Sequence, residues 1–189
     1  EHGQHTCLPV FEILSGCDLT CPVCLKNWKN EFSVTMNEYA TVIDMLLRTE
    51  GAVPILNLSG GEPTLHPDLP EMLSLARERG VMQTSVSTNG MRLLADEAFR
   101  HRIRAYDPVI ALQFDGFSPE TWRSLRGEDL SEQKLRLIEI LEAEGFKYSL
   151  VAVVASGVND HEVRAITDFF FEHKALSLMF QPLAHTGAA

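Results

Sequence analysis

The 189-residue sequence predicts an α/β fold, a partial (βα)6 barrel of TIM type built on parallel strands. Three observations carry that expectation. Six short β-prone runs alternate with segments whose apolar residues recur at helical spacing, the pattern of a parallel sheet with right-handed crossovers. Each run ends in a polar or glycine-rich turn, so the turns gather on one rim, where folds of this class bind ligands. A closed eight-unit barrel typically takes about 250 residues, so a chain of this length favours six units.

Val10-Phe11-Glu12-Ile13-Leu14 forms the first strand and runs into Gly16. Residues 25 to 34 read as polar loop. Thr35 and Glu38 then make a capping box ahead of Tyr39, Ile43, Leu46 and Leu47, apolar at helical spacing. Pro54 to Leu58 is the second strand and leads into Ser59-Gly60-Gly61-Glu62-Pro63. Asp68 and Glu71 open a helix carrying Leu69, Met72, Leu73 and Ala76, and Gly80 stops it. Val81 to Ser87 is the third strand, followed by Thr88-Asn89-Gly90 and one weak helix from about Leu93 to Ile103. Val109 to Phe114 is the fourth, ending in Asp115-Gly116. Ser118-Pro119-Glu120 starts a helix with proline at its first position, and a second helical piece, Ser131 to Glu144, follows the break at Gly127. Tyr148 to Val154 is the fifth strand. Asn159 and Glu162 cap a helix bearing Val163, Ile166, Phe169 and Phe170, and Leu176 to Gln181 is the sixth strand. Core packing with one exposed ring accounts for Phe169, Phe170 and Phe171. Residues 1–189 therefore read as a single domain, with no sizeable C-terminal extension.

With 45% hydrophobic and 22% charged residues, the composition is that of a soluble globular domain. Sixteen Lys and Arg against 26 Asp and Glu give a net charge of -10, which argues against nonspecific binding to nucleic acid or anionic lipid. No stretch approaches the roughly 20 apolar residues of a membrane span. The start, Glu1-His2-Gly3-Gln4-His5, has no signal-peptide character, so the expected location is cytoplasmic.

The chemistry concentrates in Cys17, Cys21 and Cys24, a CxxxCxxC loop directly after the first strand. Three thiolates this close converge on a metal centre or a disulfide. Thiolates at short loop spacings hold iron–sulfur clusters, and a cubane with three protein ligands leaves one iron open to substrate. Zinc in a Cys3His site is the rival, with His66 or His5 as fourth ligand. Cys7 stands apart and reads as a small residue before the first strand. In Gly60-Gly61-Glu62-Pro63 the glycines permit close backbone approach, although a tight turn before a helix explains them too. Neither GxxxxGK nor GxGxxG occurs, so phosphate-loop chemistry is not supported. Alternation puts Gln113 and Asp115 on one face. His66 and His185 read as peripheral.

The cysteine loop, followed in order by Ser59-Gly60-Gly61-Glu62-Pro63 and Ser87-Thr88-Asn89-Gly90, resembles the radical S-adenosylmethionine (SAM) superfamily over nearly the whole chain. The resemblance implies a [4Fe-4S] cluster on Cys17, Cys21 and Cys24, whose open iron takes the amino and carboxylate groups of SAM. Reductive cleavage of SAM would give methionine and a 5′-deoxyadenosyl radical that abstracts hydrogen from a substrate. It further implies that Gly60, Gly61, Glu62 and Pro63 lie beside the SAM amino group, and that Ser87 and Asn89 reach the methionine carboxylate or ribose. Gln113 and Asp115 would touch ribose or substrate, and Ser156, with Gly157 and Asn159, would lie near the adenosine. A reductant such as ferredoxin or flavodoxin and an unidentified substrate are the implied partners. The loop sequences are similar to those of the molybdenum-cofactor and peptide-modifying enzymes, and of a tetraether lipid synthase-like branch. An iron–sulfur electron carrier and a structural zinc module are the alternative functions.

Overall fold

The computed structural model describes residues 6–24 and 31–183; His5 and His185 lie outside them. Six strands, β1 (Val10–Leu14), β2 (Ile55–Gly60), β3 (Gln83–Thr88), β4 (Val109–Gln113), β5 (Lys147–Val154) and β6 (Leu178–Pro182), form one sheet in the order β1-β2-β3-β4-β5-β6. Every neighbouring pair is parallel. All six carboxyl ends therefore share a rim, as the strand–helix alternation requires.

Among the described residues seven α-helices cover the outside: α1 (Met36–Glu50), α2 (Leu69–Glu78), α3 (Met91–Ala95), α4 (Glu97–Arg104), α5 (Pro119–Arg126), α6 (Ser131–Ala143) and α7 (Val163–Glu172). Strand residues on the helix side, such as Leu56, Leu58, Val86, Ile110, Leu112, Tyr148 and Leu150, are fully buried with Tyr39, Leu73, Trp122, Leu137 and Ile166 of the helices. The opposite side of the sheet mixes polar residues with apolar ones such as Val109, Val151 and Val153. Asn57 Oδ1 accepts from the hydroxyls of Ser85 (2.8 Å) and Ser87 (3.2 Å), joining β2 to β3 across that face.

The capping box forms as expected: the Thr35 hydroxyl accepts from the Glu38 N–H, and the Glu38 carboxylate accepts from the Thr35 N–H. Phe169 and Phe170 pack against the core and Phe171 is exposed. Three local expectations are corrected. The stretch after β3 is two helices, because Asp96 adopts an extended backbone and its carboxylate accepts from the Phe99 N–H, capping α4 afresh. Asp68 and Glu71 do open α2, at its N-cap and in its first turn, but the expected capping bond from the Asp68 side chain is not made. Asn159 and Glu162 do not cap α7 either. The Asn159 amide instead donates to the carbonyls of Asp115 and Val153 and accepts from the Ala155 N–H, clamping the ends of β4 and β5.

Glu162 reaches the turn after β4, accepting from the N–H groups of Phe117 and Ser118 and the hydroxyls of Ser118 and Thr121. Burial pushes its pKa up, but the Thr121, Phe117 and Ser118 hydrogen bonds outweigh this and hold the carboxyl below its usual range. A depressed folded-state pKa stabilises the protein above the ordinary carboxylate range, and that stability is lost as pH falls through the folded value. Glu162→Gln is expected to destabilise by about 1–3 kcal/mol at pH 7, since the amide nitrogen replaces one of the two accepting oxygens and turns its N–H groups toward donors. The deficit should shrink toward pH 3 as the wild-type carboxylate protonates; urea unfolding at both pH values checks this, and a pH-independent deficit counts against the carboxylate's charge as the cause.

Candidate metal and cofactor site

The cysteine loop leaves the carboxyl end of β1 and is stitched at its base on two sides. On one side, Ser15 N–H donates to the Phe32 carbonyl (3.0 Å) and Val34 N–H to the Ile13 carbonyl (2.8 Å), drawing the returning chain alongside β1. On the other, Gly61 N–H donates to the Leu14 carbonyl and Glu62 N–H to the Gly16 carbonyl, both at 2.8 Å. The reason for glycine at 61 is visible here. A Cβ on Gly61 would stand 2.2 Å from the Gly16 oxygen and 2.3 Å from the Ser15 oxygen, closer than any side chain tolerates. The close approach inferred from the sequence is thus of one loop's backbone to the other's.

Glu62 is buried at 1% exposure beneath this junction. Its Oε1 accepts from Thr64 N–H (3.0 Å) and from the hydroxyls of Thr64 (2.5 Å) and Thr88 (2.6 Å), and its Oε2 from Asn89 N–H (2.7 Å). Burial pushes its pKa up, and the four hydrogen bonds offset this only in part. Asn89 continues the connection, its side-chain amide donating to Asp18 Oδ1 of the cysteine loop at 2.6 Å. Gly60, Gly61, Glu62 and Asn89 therefore meet at the base of the cysteine loop, and Pro63 opens the short turn that follows. Ser87 bonds Asn57 on the inner face, one strand position below the rim.

A third contact comes from α5. Arg126 makes a two-point pair with the fully buried Asp115, Nε to Oδ2 at 2.7 Å and Nη2 to Oδ1 at 3.0 Å. Asp115 also accepts from Gln113 Nε2 (2.7 Å) and Val153 N–H (2.8 Å), so Gln113 and Asp115 do share a face and bond each other. The Arg126 guanidinium also acts electrostatically on the Cys21 thiol. Burial pulls the Arg126 pKa down, but Asp115 and Cys21 more than compensate, keeping it charged. Ser156 is exposed on the turn after β5.

Among the described residues no disulfide joins the cysteines. Burial pushes the thiols of Cys17 and Cys21 up; the Leu19 N–H opposes this at Cys17, and Arg126 opposes it at Cys21. No three His, Cys, Asp or Glu side chains among the described residues close upon a single ion. A four-iron cubane, with its ligated corners on separate atoms, asks for spaced thiols on one loop, and the donor set here fits it. His66 does not fit the zinc alternative. It is buried at 1% exposure, where Nδ1 accepts from Asp68 N–H and Nε2 donates to the Val34 carbonyl, leaving no lone pair for a metal. Its reading as a peripheral, solvated residue is likewise corrected.

Sequence reasoning passed over Asp18, Arg126 and Lys134. Lys134 had a visible signal, since it stands four residues after Leu130 and four before Ile138, on the apolar stripe of α6. Arg126 had none that separates it from the exposed Arg123.

A sequence profile of the Radical SAM superfamily matches residues 11–170. The chain is 33% identical over 193 positions to 7,8-dihydro-6-hydroxymethylpterin dimethyltransferase of Methanocaldococcus jannaschii, covering 99% of this chain and 38% of that protein. It is 32% identical over 174 positions to a mycofactocin maturase of Mycobacterium ulcerans, covering 89% and 45%. It is 27% identical over 177 positions to GTP 3′,8-cyclase of Chlorobaculum tepidum, covering 90% and 52%. The chain thus spans 38% to 52% of the length of these relatives. Its fold is that of SuiB of Streptococcus suis bound to S-adenosylmethionine, with a TM-score of 0.79 at 16% identity, over 97% of this chain and 42% of that one. Methylornithine synthase superposes with a TM-score of 0.73 at 16% identity, over 94% and 53%. With the cysteine loop, the Gly60-Gly61-Glu62-Pro63 loop and strands β2 to β5 all inside the matched stretch, the chain belongs to the radical SAM superfamily.

Proposed function

We propose that this chain is the core of a radical SAM enzyme that cleaves S-adenosylmethionine reductively at a [4Fe-4S] cluster held by Cys17, Cys21 and Cys24. The observation that carries this reading is the double main-chain stitch of Gly61 and Glu62 to the base of the cysteine loop, which fixes three spaced thiols beside a glycine loop on the carboxyl rim. When bound, the cluster and SAM supply an electron and a 5′-deoxyadenosyl radical that takes hydrogen from a substrate. The chain's own part is geometry and charge. Glu62 and Asn89 hold the loops in register, while Arg126 keeps a buried positive charge beside Cys21. Gly60, Gly61, Pro63, Ser87, Gln113, Asp115 and Ser156 complete the candidate SAM-facing set. A ferredoxin or flavodoxin as reductant, and the cytoplasm as compartment, belong to the same reading.

For the substrate we favour a polar nitrogen heterocycle over a hydrocarbon chain. The inner wall offers the hydrogen-bonding cluster Asn57, Ser85 and Ser87, and the Methanocaldococcus relative is named for acting on a pterin. Anaerobic titration of the cluster-loaded, SAM-bound protein with 7,8-dihydro-6-hydroxymethylpterin should saturate. Asn57→Leu should weaken that binding at least tenfold, and equal affinity in the variant counts against this wall.

Replacing Cys17, Cys21 or Cys24 by Ala should abolish the four-iron cluster, whereas Cys7→Ala should keep it, as iron and sulfide content report. Thiol ligation releases protons, so iron uptake should be greater at pH 8.5 than at pH 6.5. With a low-potential reductant the loaded wild-type protein should form 5′-deoxyadenosine above a Cys24→Ala blank. A reducible, SAM-saturated protein that forms none sinks the enzyme reading in favour of an electron carrier.

Gly61→Val should displace the cysteine loop as well as the glycine loop, because its Cβ meets the Ser15 and Gly16 oxygens. Iron content and SAM affinity are expected to fall together, at least tenfold for SAM, in a variant whose circular dichroism is unchanged. Loss of SAM binding with full iron content would mean that the two loops are not mechanically joined.

A further inference from the structure

Lys134 is fully buried on the inner side of α6. Its ammonium donates to the main-chain oxygens of Asn89 (2.5 Å) and Gln113 (3.0 Å) and to Gln113 Oε1 (3.5 Å), and stands 5.2 Å from the centre of the Trp122 ring. All these partners are neutral. Among the described residues no carboxylate lies within ion-pair distance of it, because Asp115 is held by Arg126, and Glu62 accepts from Thr64, Thr88 and Asn89. Burial pulls its pKa down to about 7; Asp115 opposes this, Arg126 adds to it, and Glu62 and Cys21 also oppose it.

A buried ammonium without an anion beside it is expensive, and a leucine on the same apolar stripe would avoid the cost. The position therefore makes physical sense when an anionic group stands close by. The rim that Lys134 underlies carries the cysteine loop, and Asn89, whose carbonyl Lys134 binds, is itself bonded to Asp18 of that loop.

We infer that Lys134 is a positioning residue for the metal centre: it fixes the carbonyls ending β3 and β4 and presents the positive charge that favours the reduced form of a cluster bound by Cys17, Cys21 and Cys24. The inference rests on the radical SAM reading but assigns a role to a helix residue outside the ligand and glycine loops. Reduction adds a negative charge, so a nearby cation raises the reduction potential.

The test compares Lys134→Gln, which keeps N–H donors for the carbonyls but no charge, with Lys134→Met, which keeps neither. Both should shift the one-electron reduction equilibrium of the cluster at least tenfold toward the oxidised form, about 59 mV, in an anaerobic potentiometric titration followed by electron paramagnetic resonance. Their melting temperatures should differ, Met being the lower. A purely structural role would make the potential follow the melting temperature and not the charge. A shift under threefold in Lys134→Gln at full iron content overturns this inference alone; a wild-type protein that takes up no cluster overturns the radical SAM reading with it. If neither variant folds, the wild type decides. With ε-13C-lysine labelling, the Lys134 pKa should rise on cluster loading, by reciprocity of the two charges, and an unchanged value overturns the inference.

Discussion

The Glu62 carboxylate is the constraint on which the rim's arrangement depends. A buried carboxylate is tolerated only when its oxygens are satisfied, and here the donors are spread over two segments, Thr64 on its own loop and Thr88 with Asn89 at the end of β3. Satisfying one side chain therefore fixes the distance between two strand ends. Because Glu62 N–H simultaneously binds the Gly16 carbonyl, the same residue locates the cysteine loop by its backbone and the β3 rim by its side chain. Glutamine could not substitute without turning an N–H group toward donors, which leaves a buried group unpaired. Glutamate at this position is thus explained by packing chemistry within the chain, independently of any contact it makes with a cofactor.

Charge at the rim is arranged in two layers with different physics. Asp115 and Arg126 form a closed pair, bidentate and almost fully buried, with Gln113 and Val153 satisfying the remaining carboxylate positions. Such a pair contributes little net stability, yet losing either partner strands a buried charge, so its value is in holding geometry. Asn159 reinforces it by binding the Asp115 carbonyl, and Glu162 by gathering the turn that follows. The second layer, Lys134, has only neutral partners, and its charge is left to act outward. On adjacent helices, then, one buried cation is closed by a carboxylate and the other by carbonyls.

Most of the strand and helix order was legible because each segment announces itself locally: Thr35 with Glu38 for α1, Ser118-Pro119 for α5, and short β-prone runs for the strands. What escaped were bonds made across the sheet. Asn159 and Glu162 look like caps from their spacing, and both instead reach back to the turn after β4, some forty residues earlier in the chain. His66 looks solvated beside a loop proline, and burial against Ser33 and Val34 reverses that. The thiol spacing and the glycine loop could be read directly, since both are contiguous; Asp18 could not, because its partner Asn89 is distant in the chain, and Arg126 could not, because nothing local separates it from the exposed Arg123.

The inner face of the sheet supplies the final link between fold and chemistry. A closed eight-strand barrel fills its interior with bulky branched side chains in layers. Here the inner positions that share rows across the sheet include Asn57 and Ser85 with Val109, and Ser87 with Ala111 and Ser149. Strands buried on both faces would read as unbroken apolar runs, whereas β2 and β3 alternate, with Leu56 and Leu58 outward and Asn57 inward. Small and hydroxylic side chains cannot occupy that volume or satisfy one another completely. Asn57, Ser85 and Ser87 do bond among themselves, yet the hydroxyl oxygens and the second amide hydrogen keep capacity for a further partner. Under the proposed function, that unspent capacity is what a polar substrate held below the rim would use, shielded from water beside the cysteine loop.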